Sequence, residues 1–266
     1  LLKRGIEITH SCYARAREIV EPGIPELEIY TELYRTAVET AGEKLPAMGN
    51  DFQCGSPGGP PRLRRTVAGE LYILDLGVHY SGYFADNCRT FSVDREPTKA
   101  QKQAWSDIVQ VFSMIEDQVK PGVSCAKLFE EVKGFLDAHW PGSFFHHLGH
   151  GVGLSPHERP NLNPHWSQTF REGDFFTVEP GLYEPELRGG IRLEENYLVT
   201  VDGVEKLIEG TLPKLLFFVD GAEPVMKLRI TGVLAQLLDE LLDSRVLQGQ
   251  ALVGFSQVTP CLDVVA

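Results

Sequence analysis

Apolar residues recur with a helical period in four stretches of the chain, and these stretches form two pairs. In the first pair, residues 3–20 stop at "EPG", and residues 25–41 begin with a proline at a helix start and end before Gly42. In the second pair, the pattern predicts a long amphipathic helix over residues 98–119, followed by "KPG", and a further helix that begins at the N-cap Ser124. The chain therefore contains the same order of helix, Pro-Gly turn and helix twice.

The two turns and the helices that follow them align without a gap. The segment "VEPGIPELEIYTEL" at residues 20–33 matches "VKPGVSCAKLFEEV" at residues 119–132, with valine, proline, glycine and apolar positions in register. Any α+β protein can contain two helix pairs followed by strands. A matched order of helix, turn, helix, strand and acid is harder to obtain by chance, and it favours an internal duplication.

An apolar stretch with two acids follows each helix pair. The stretch "LYILDLGVHYSGYFADNCRTF" contains Asp75 and Asp86, eleven residues apart, and predicts two strands joined by a turn near residues 81–82, with the acids facing across the pair. The stretch "FFTVEPGLYEPELRGGIRLEENYLVT" repeats this arrangement with Glu179 and Glu194, fifteen residues apart. Two such halves predict one α+β domain with antiparallel strands, outer helices and four acids that converge where the halves meet.

The composition excludes several classes of partner. The 266-residue chain has an ordinary globular balance of 42% hydrophobic and 23% charged residues, and its net charge of −12 argues against nucleic acid, whose phosphates would be repelled. No apolar run approaches the roughly 20 residues needed to cross a bilayer, so no membrane segment is expected. The five cysteines, at positions 12, 54, 88, 125 and 261, are scattered without a CxxC spacing, which predicts reduced thiols in a cytoplasmic protein.

Four carboxylates gathered in apolar strands require a cation. Each buried charge costs several kcal/mol to desolvate, and neighbouring carboxylates repel one another unless a cation neutralises them. A pair of divalent ions would do this, and His150, between Gly149 and Gly151, is the natural imidazole ligand, because glycine lets the backbone come close. This oxygen-rich set suits manganese first, with cobalt, iron or zinc as alternatives. Two such ions can share a hydroxide and polarise a carbonyl.

The segment "HHLGHGVGLSPHE" at residues 146–158 holds four of the eight histidines of the chain. One of them would bind metal, and others would line the cavity. With "LDLGVHYSGYFADNCRTF", "FTVEPGLY" and "GIRLEENYLVT", this segment resembles the metallopeptidase family of the methionine aminopeptidases, aminopeptidase P and prolidase over roughly residues 3–207. The resemblance implies the duplicated pita-bread fold, with a curved antiparallel sheet, outer helices and pseudo-twofold halves. It also implies a dinuclear metal site whose ligands are Asp75, Asp86, His150, Glu179 and Glu194.

Two of the motifs resemble the Xaa-Pro-cleaving branch of this family rather than the methionine branch. They are "D..RTF", which ends at Phe91, and "GIRLE", which ends at Glu194. The resemblance implies that Arg192 ties down carboxylates and that His146 and His157 contact the substrate. Glu179 would then be both a ligand and the carrier of the proton.

One position departs from the family pattern. These peptidases carry a further histidine about 17 residues before the first aspartate, where it contacts the scissile amide, and this chain has Gly58 there. We do not expect His79 to take that role. We expect a structural role for His147, and surface or packing roles for His139 and His165.

The expected catalytic domain spans residues 1–213, in halves of about 1–97 and 98–213. Residues 214–266 lie beyond the resemblance, and their amphipathic pattern predicts a packing helix or a homodimer contact. The preferred hypothesis is hydrolysis of small Xaa-Pro peptides, by an aminopeptidase or dipeptidase, through a metal-bridging hydroxide. Two alternatives stay open: a non-peptide hydrolase or lyase on the same fold, and a non-catalytic binding protein.

Overall fold

The four predicted helices are present in the computed structural model, which describes residues 1–93 and 96–207. They are α1 (Leu2–Ile19), α2 (Glu26–Ala41), α3 (Lys99–Gln118) and α4 (Cys125–Asp137). Side-chain caps or a glycine fix three of the helix ends. Thr98 forms a capping box with Gln101 at the start of α3, the Ser124 hydroxyl accepts from the Lys127 amide, and Gly42 ends α2 with a left-handed φ of 73°.

Twelve short strands lie in the described residues, and every pairing between them is antiparallel. In chain order they are β1 (Asp51–Cys54), β2 (Leu71–Asp75), β3 (His79–Tyr80), β4 (Tyr83–Phe84), β5 (Cys88–Ser92), β6 (Gly149–Gly151), β7 (Glu158–Leu162), β8 (Phe175–Val178), β9 (Gly181–Leu182), β10 (Ile191–Arg192), β11 (Glu195–Val199) and β12 (Val204–Lys206). A short 3₁₀ helix at Pro185–Leu187 separates β9 from β10.

The first acidic stretch does not form the predicted pair of strands joined by one turn. It forms β2 and β5, which pair directly, and a separate small hairpin of β3 and β4 lies between them in the chain. The turn near residues 81–82 belongs to this hairpin, where Ser81 and Gly82 both have positive φ. Asp75 therefore pairs with Cys88 in the ladder, and Asp86 lies just before β5 rather than opposite Asp75.

Corresponding strands have the same order in the two halves. The first half gives a sheet ordered β1-β2-β5, and the second half contains β6-β8-β11 within a sheet ordered β12-β11-β8-β6-β7. Each sheet has its own hydrophobic cluster, the first formed mainly by α1, α2 and β2, the second by α3, α4, β8 and β11. The order of helices and strands that repeats in the sequence therefore also repeats in the structure, where each half packs around its own hydrophobic cluster.

Several sequence-based expectations concern residues outside the described range. The packing or dimer helix in residues 214–266 and Cys261 fall there. Within the described residues, Cys12, Cys54, Cys88 and Cys125 are buried thiols without a disulfide partner. None of the described helices combines the length and the apolar character that a membrane crossing requires.

Candidate metal centre

The four acids occupy the same kind of position in both halves. Asp75 is the last residue of β2, and Glu179 directly follows β8. Asp86 lies shortly before β5, and Glu194 immediately precedes β11. Because β2 pairs with β5 and β8 pairs with β11, each pair of acids lies at one end of an antiparallel strand pair.

Hydrogen bonds between the halves bring these two ends together. The Glu194 amide donates to the Cys88 carbonyl at 3.0 Å, and the Asn87 side chain donates to the Glu194 carbonyl at 2.8 Å. Buried Arg89 donates to the same carbonyl at 2.6 Å and to the Glu195 carboxylate at 2.8 Å. The chain beside Glu194 is therefore fixed to the chain beside Asp86.

Three of the acids share one small volume. Asp75, Asp86 and Glu194 each offer an oxygen, and these three oxygens lie within 4.8 Å of one another. Glu194 is only 1% exposed, yet neither of its oxygens receives a hydrogen bond from a described residue, and the same holds for Oδ1 of Asp75. An unpaired buried carboxylate is costly, so these oxygens are suited to a cation.

The titration of these acids leads to the same conclusion. Burial raises the pKa of Asp75 to about 6, with Arg192 opposing the rise and Glu179 adding to it. Burial and the neighbouring carboxylates raise the pKa of Asp86 and of Glu194 well above the ordinary range. Such carboxyl groups hold a proton unless a stronger positive charge replaces it, which a divalent cation would do.

His150 is oriented with one nitrogen toward the acids. Its Nδ1 donates to the Gly151 carbonyl at 2.9 Å, because a carbonyl can only accept. Its Nε2 faces Oε1 of Glu179 at 3.3 Å and Oδ2 of Asp86 at 3.6 Å, longer than good hydrogen bonds. A backbone acceptor on the far nitrogen is the usual support of a metal-binding imidazole. The donor set therefore fits divalent cations.

Arg192 links the acids to the rest of the cavity. Its guanidinium donates to Oδ2 of Asp75 at 2.9 Å, to Tyr183 at 3.2 Å and to Asp51. Its Nε is 3.9 Å from Oε2 of Glu179. Sequence reasoning missed both Asp51 and Tyr183. The contact between Arg192 and Asp51 joins residues 141 positions apart. Tyr183 ends the motif "FTVEPGLY", but its residue type alone does not reveal its contacts with His146 and Arg192.

His146 and His157 both line the cavity, but His146 is held by hydrogen bonds and His157 is exposed. His146 donates from Nδ1 to the His147 carbonyl at 2.7 Å, and its Nε2 is 2.9 Å from the Tyr183 hydroxyl. Burial lowers the pKa of His146 to about 4, so Nε2 of the neutral ring accepts from Tyr183. His157 is exposed, and its ring centroid is 3.9 Å from that of His150.

His147 lies in the site, although the sequence suggested only a structural role. Its Nε2 donates to Oε1 of Glu179 at 2.7 Å, and its ring lines the cavity beside those of His150 and His157. Burial opposes protonation of His147, but the bond to Glu179 outweighs it and raises the pKa of the imidazole. For Glu179, burial is likewise outweighed by His147 and His150, which hold its pKa well below the usual range.

The remaining histidines named in the sequence lie elsewhere. His79 stacks on Phe84 with ring centroids 4.1 Å apart. His165 is exposed, and the His139 side chain is 58% exposed, 3.7 Å from Asp107.

Asp51 occupies the space beside Gly58. Its Oδ1 accepts from the Gly59 amide at 2.6 Å, and a β-carbon added at Gly58 would lie 2.7 Å from Oδ2. The described part of the cavity therefore presents the Asp51 carboxylate beside the position where the family pattern has an imidazole. The cavity has a volume of about 280 Å³, near the lower end of the roughly 300–1,000 Å³ common for small-molecule sites.

Comparisons with known proteins agree with this architecture. The chain is 29% identical over 212 residues to the Xaa-Pro dipeptidase of Pyrococcus horikoshii, an alignment that covers 78% of this chain and 60% of that protein. Among solved structures, it is similar to the X-Pro aminopeptidase of Thermotoga maritima, with a TM-score of 0.72 and 28% identity over 81% of this chain and 61% of that one. It is also similar to the Xaa-Pro dipeptidase of Bacillus anthracis, with a TM-score of 0.73 and 26% identity over the same shares.

These likenesses confirm the predicted α+β pita-bread fold class. The chain spans about three fifths of the length of the curated relatives it matches. The model of metallopeptidase family M24 matches residues 1–201, so it covers the first predicted half, most of the second and all four acids of the candidate centre. On this match, together with its fold and its repeated pairs of acids, the chain belongs to metallopeptidase family M24.

Proposed function

We propose that this protein is a metal-dependent hydrolase that cleaves small peptides at an Xaa-Pro bond, as an aminopeptidase or a dipeptidase. The observation that carries the proposal is the convergence of Asp75, Asp86 and Glu194, from both halves, on one small volume, where neither Glu194 oxygen receives a hydrogen bond from a described residue. The relatives support the substrate class, since they include Xaa-Pro dipeptidases and an X-Pro aminopeptidase.

Two divalent ions are proposed, held by Asp75, Asp86, His150, Glu179 and Glu194. Manganese is the ion expected from this oxygen-rich set, with cobalt, iron or zinc as alternatives. Bound ions would supply an activated water and polarise the scissile carbonyl.

The residues of the chain would position the substrate and move the proton. Glu179 faces the cavity between His147 and His150, and in this proposal it accepts the proton of the attacking water and delivers it to the leaving amine. Exposed His157 is free of the contacts that hold His146, so it would orient the substrate carbonyl. His146 would act from the wall of the cavity, through Tyr183 and Arg192.

The test is hydrolysis of a panel of Xaa-Pro dipeptides and longer peptides by protein loaded with manganese or cobalt. The Glu179→Gln variant should lose roughly 10²–10⁴-fold in kcat/KM, because it removes a general acid–base group. The control is Glu172→Gln, the same exchange at an exposed position on the loop before β8, which should keep full activity. Loaded wild-type protein that leaves every peptide intact would refute the proposal.

A second candidate is a non-peptide hydrolase or lyase that uses the same metals. The observation that favours it is Gly58, where the family pattern has a histidine that contacts the scissile amide and this chain presents Asp51 instead. A panel of small amide and sulfonium compounds, assayed beside the peptides, separates the two candidates. Turnover of these compounds without turnover of peptides would establish the second.

The assembly, the location and the domain bounds deduced from the sequence stay predictions. They are a homodimer, a cytoplasmic protein and a catalytic domain over residues 1–213.

A further inference from the structure

We propose that His147 is itself a metal ligand, so that the ion held by His150 and Glu179 receives two imidazole nitrogens. The ligand set implied by the family resemblance contains one imidazole, and it has no role for the position of His147. This inference rests on the proposed metal centre and adds one residue to it.

Two nitrogens converge on one carboxylate oxygen. Nε2 of His147 is 2.7 Å from Oε1 of Glu179, and Nε2 of His150 is 3.3 Å from the same atom. The three residues each offer a donor atom, and these donors lie within 4.8 Å of one another. Donors bound to a single ion at about 2.0–2.2 Å lie roughly 3–4 Å apart, so small adjustments would seat an ion between the three.

The rings of His147 and His150 do not stack, and each brings its Nε2 toward Oε1 of Glu179. Their planes meet at 88° and their centroids are 5.5 Å apart. Two imidazoles bound through nitrogen to one ion at a tetrahedral angle have centroids roughly 5 Å apart, given metal–nitrogen distances of about 2.1 Å. His150 already carries its proton on Nδ1, toward Gly151, and leaves Nε2 for a ligand bond. His147 would release to solvent the Nε2 proton that it donates to Glu179 when the ion binds, because a ligand nitrogen must be deprotonated.

The backbone of His147 is held in place by its neighbour. The His147 carbonyl accepts from Nδ1 of His146 at 2.7 Å, and His146 is fixed in turn by the hydroxyl of Tyr183 at 2.9 Å. His147 keeps a 35% exposed side chain at the cavity wall, so its ring can reach an ion without disturbing the core. In this proposal His146 is a positioning residue, because it holds the backbone of His147.

A second imidazole changes which metal the centre prefers. Two histidines and one carboxylate form the donor set of several catalytic zinc sites and of many non-haem iron sites. Relative to a one-imidazole set, the ion beside His147 should therefore shift in preference from manganese toward cobalt, iron or zinc.

The experiment uses His147→Gln and cobalt(II), with His165→Gln as the matched exchange of an exposed histidine. Glutamine keeps a hydrogen-bond donor for Glu179 but offers no imidazole nitrogen, so the exchange separates the two roles. Isothermal titration gives the Kd of cobalt(II). Proton NMR of the cobalt(II)-loaded protein counts ligand histidines through their strongly shifted, solvent-exchangeable imidazole N–H signals.

We expect wild type and His165→Gln to show the same Kd and the same number of shifted signals. His147→Gln should bind cobalt(II) at least roughly 10-fold more weakly and lose one shifted imidazole signal. An unchanged number of signals in His147→Gln, with either an unchanged or a weaker Kd, would overturn the ligand role of His147 and leave the metal centre intact. Wild-type protein that binds no cobalt(II), manganese(II) or zinc(II) would overturn both proposals together.

Discussion

Gly58 has a backbone conformation that disfavours a side chain, and the Asp51 carboxylate lies where that side chain would begin. Its φ is 149°, a region used almost only by glycine, and an added β-carbon would lie 2.7 Å from a carboxylate oxygen of Asp51. Restoring the family imidazole by Gly58→His should therefore lower the free energy of unfolding by roughly 1–3 kcal/mol from backbone strain, with a further loss from the clash. It should not raise Xaa-Pro peptidase activity, because Asp51 fills the place that the ring needs.

Thermal and urea unfolding of Gly58→His measure this effect. The control is Gly173→His, where φ is also positive at 86° but an added β-carbon meets no described atom within 4 Å. Gly58→His should lose clearly more stability than Gly173→His. Equal losses in the two variants would mean that Asp51 does not restrict position 58.

The proposed metal ligands could be picked out from the sequence because each stands out locally. Carboxylates inside apolar strands and a histidine between two glycines carry their own signal. Asp51 and His147 carried none, since Asp51 is one of many acids and His147 is one of four clustered histidines. Their positions in the site depend on contacts with Arg192 and Glu179, which are distant in sequence.

Strand β6 shows how an element sets the position of a proposed ligand. It lies between β7 and β8, and His150 is its central residue. A β-carbon added at Gly149 would lie 2.0 Å from the Thr177 carbonyl oxygen, so the close approach of β6 to β8 requires glycine there. Gly149→Ala should push β6 away from β8, lower the melting temperature and weaken metal binding.

A glycine in α4 provides the control for this prediction. Gly134 is exposed, and an added β-carbon there meets no described atom within 4 Å. Gly134→Ala should raise the free energy of unfolding by roughly 0.4–1 kcal/mol, since alanine favours the helix and restricts the unfolded chain. The same Gly→Ala exchange should therefore lower the free energy of unfolding in β6 and raise it in α4, and urea unfolding measures both changes. A Gly149→Ala variant as stable as wild type would contradict the packing described for β6.

The helices were more predictable than the strands because local contacts decide their ends. A capping box at Thr98 and a left-handed Gly42 are visible as residue types in the sequence. The β3–β4 hairpin was not predicted, because two-residue strands are too short to show a period. The pairing of β1 with β2 and of β6 with β8 depends on long-range register, which a single sequence does not reveal.

The meeting of the two halves couples stability to protons and metal in the whole molecule. Asp86 and Glu194 have pKa values raised by burial and by their neighbours, so the metal-free folded protein holds protons that the unfolded chain has released. A raised folded-state pKa lowers the free energy of unfolding as pH rises toward that pKa. The lowered pKa values of His146 and His157 make the free energy of unfolding increase with pH instead. They do so only below about pH 6.5, where the unfolded histidines gain protons.

Between about pH 6.5 and 8, the metal-free protein should therefore lose stability, and added metal should restore it. Divalent ions bind the deprotonated carboxylates, so the gain in melting temperature on adding manganese(II) or cobalt(II) to chelator-treated protein should grow with pH over this interval. Calorimetric scans at several pH values, with and without metal, measure both trends. Glu194→Gln should flatten the pH dependence of the metal-free protein, because one raised carboxyl is gone, and it should also reduce the gain from metal. A chelated wild-type protein whose melting temperature rises over this interval would contradict the crowding of carboxylates between the halves, on which the proposed centre depends.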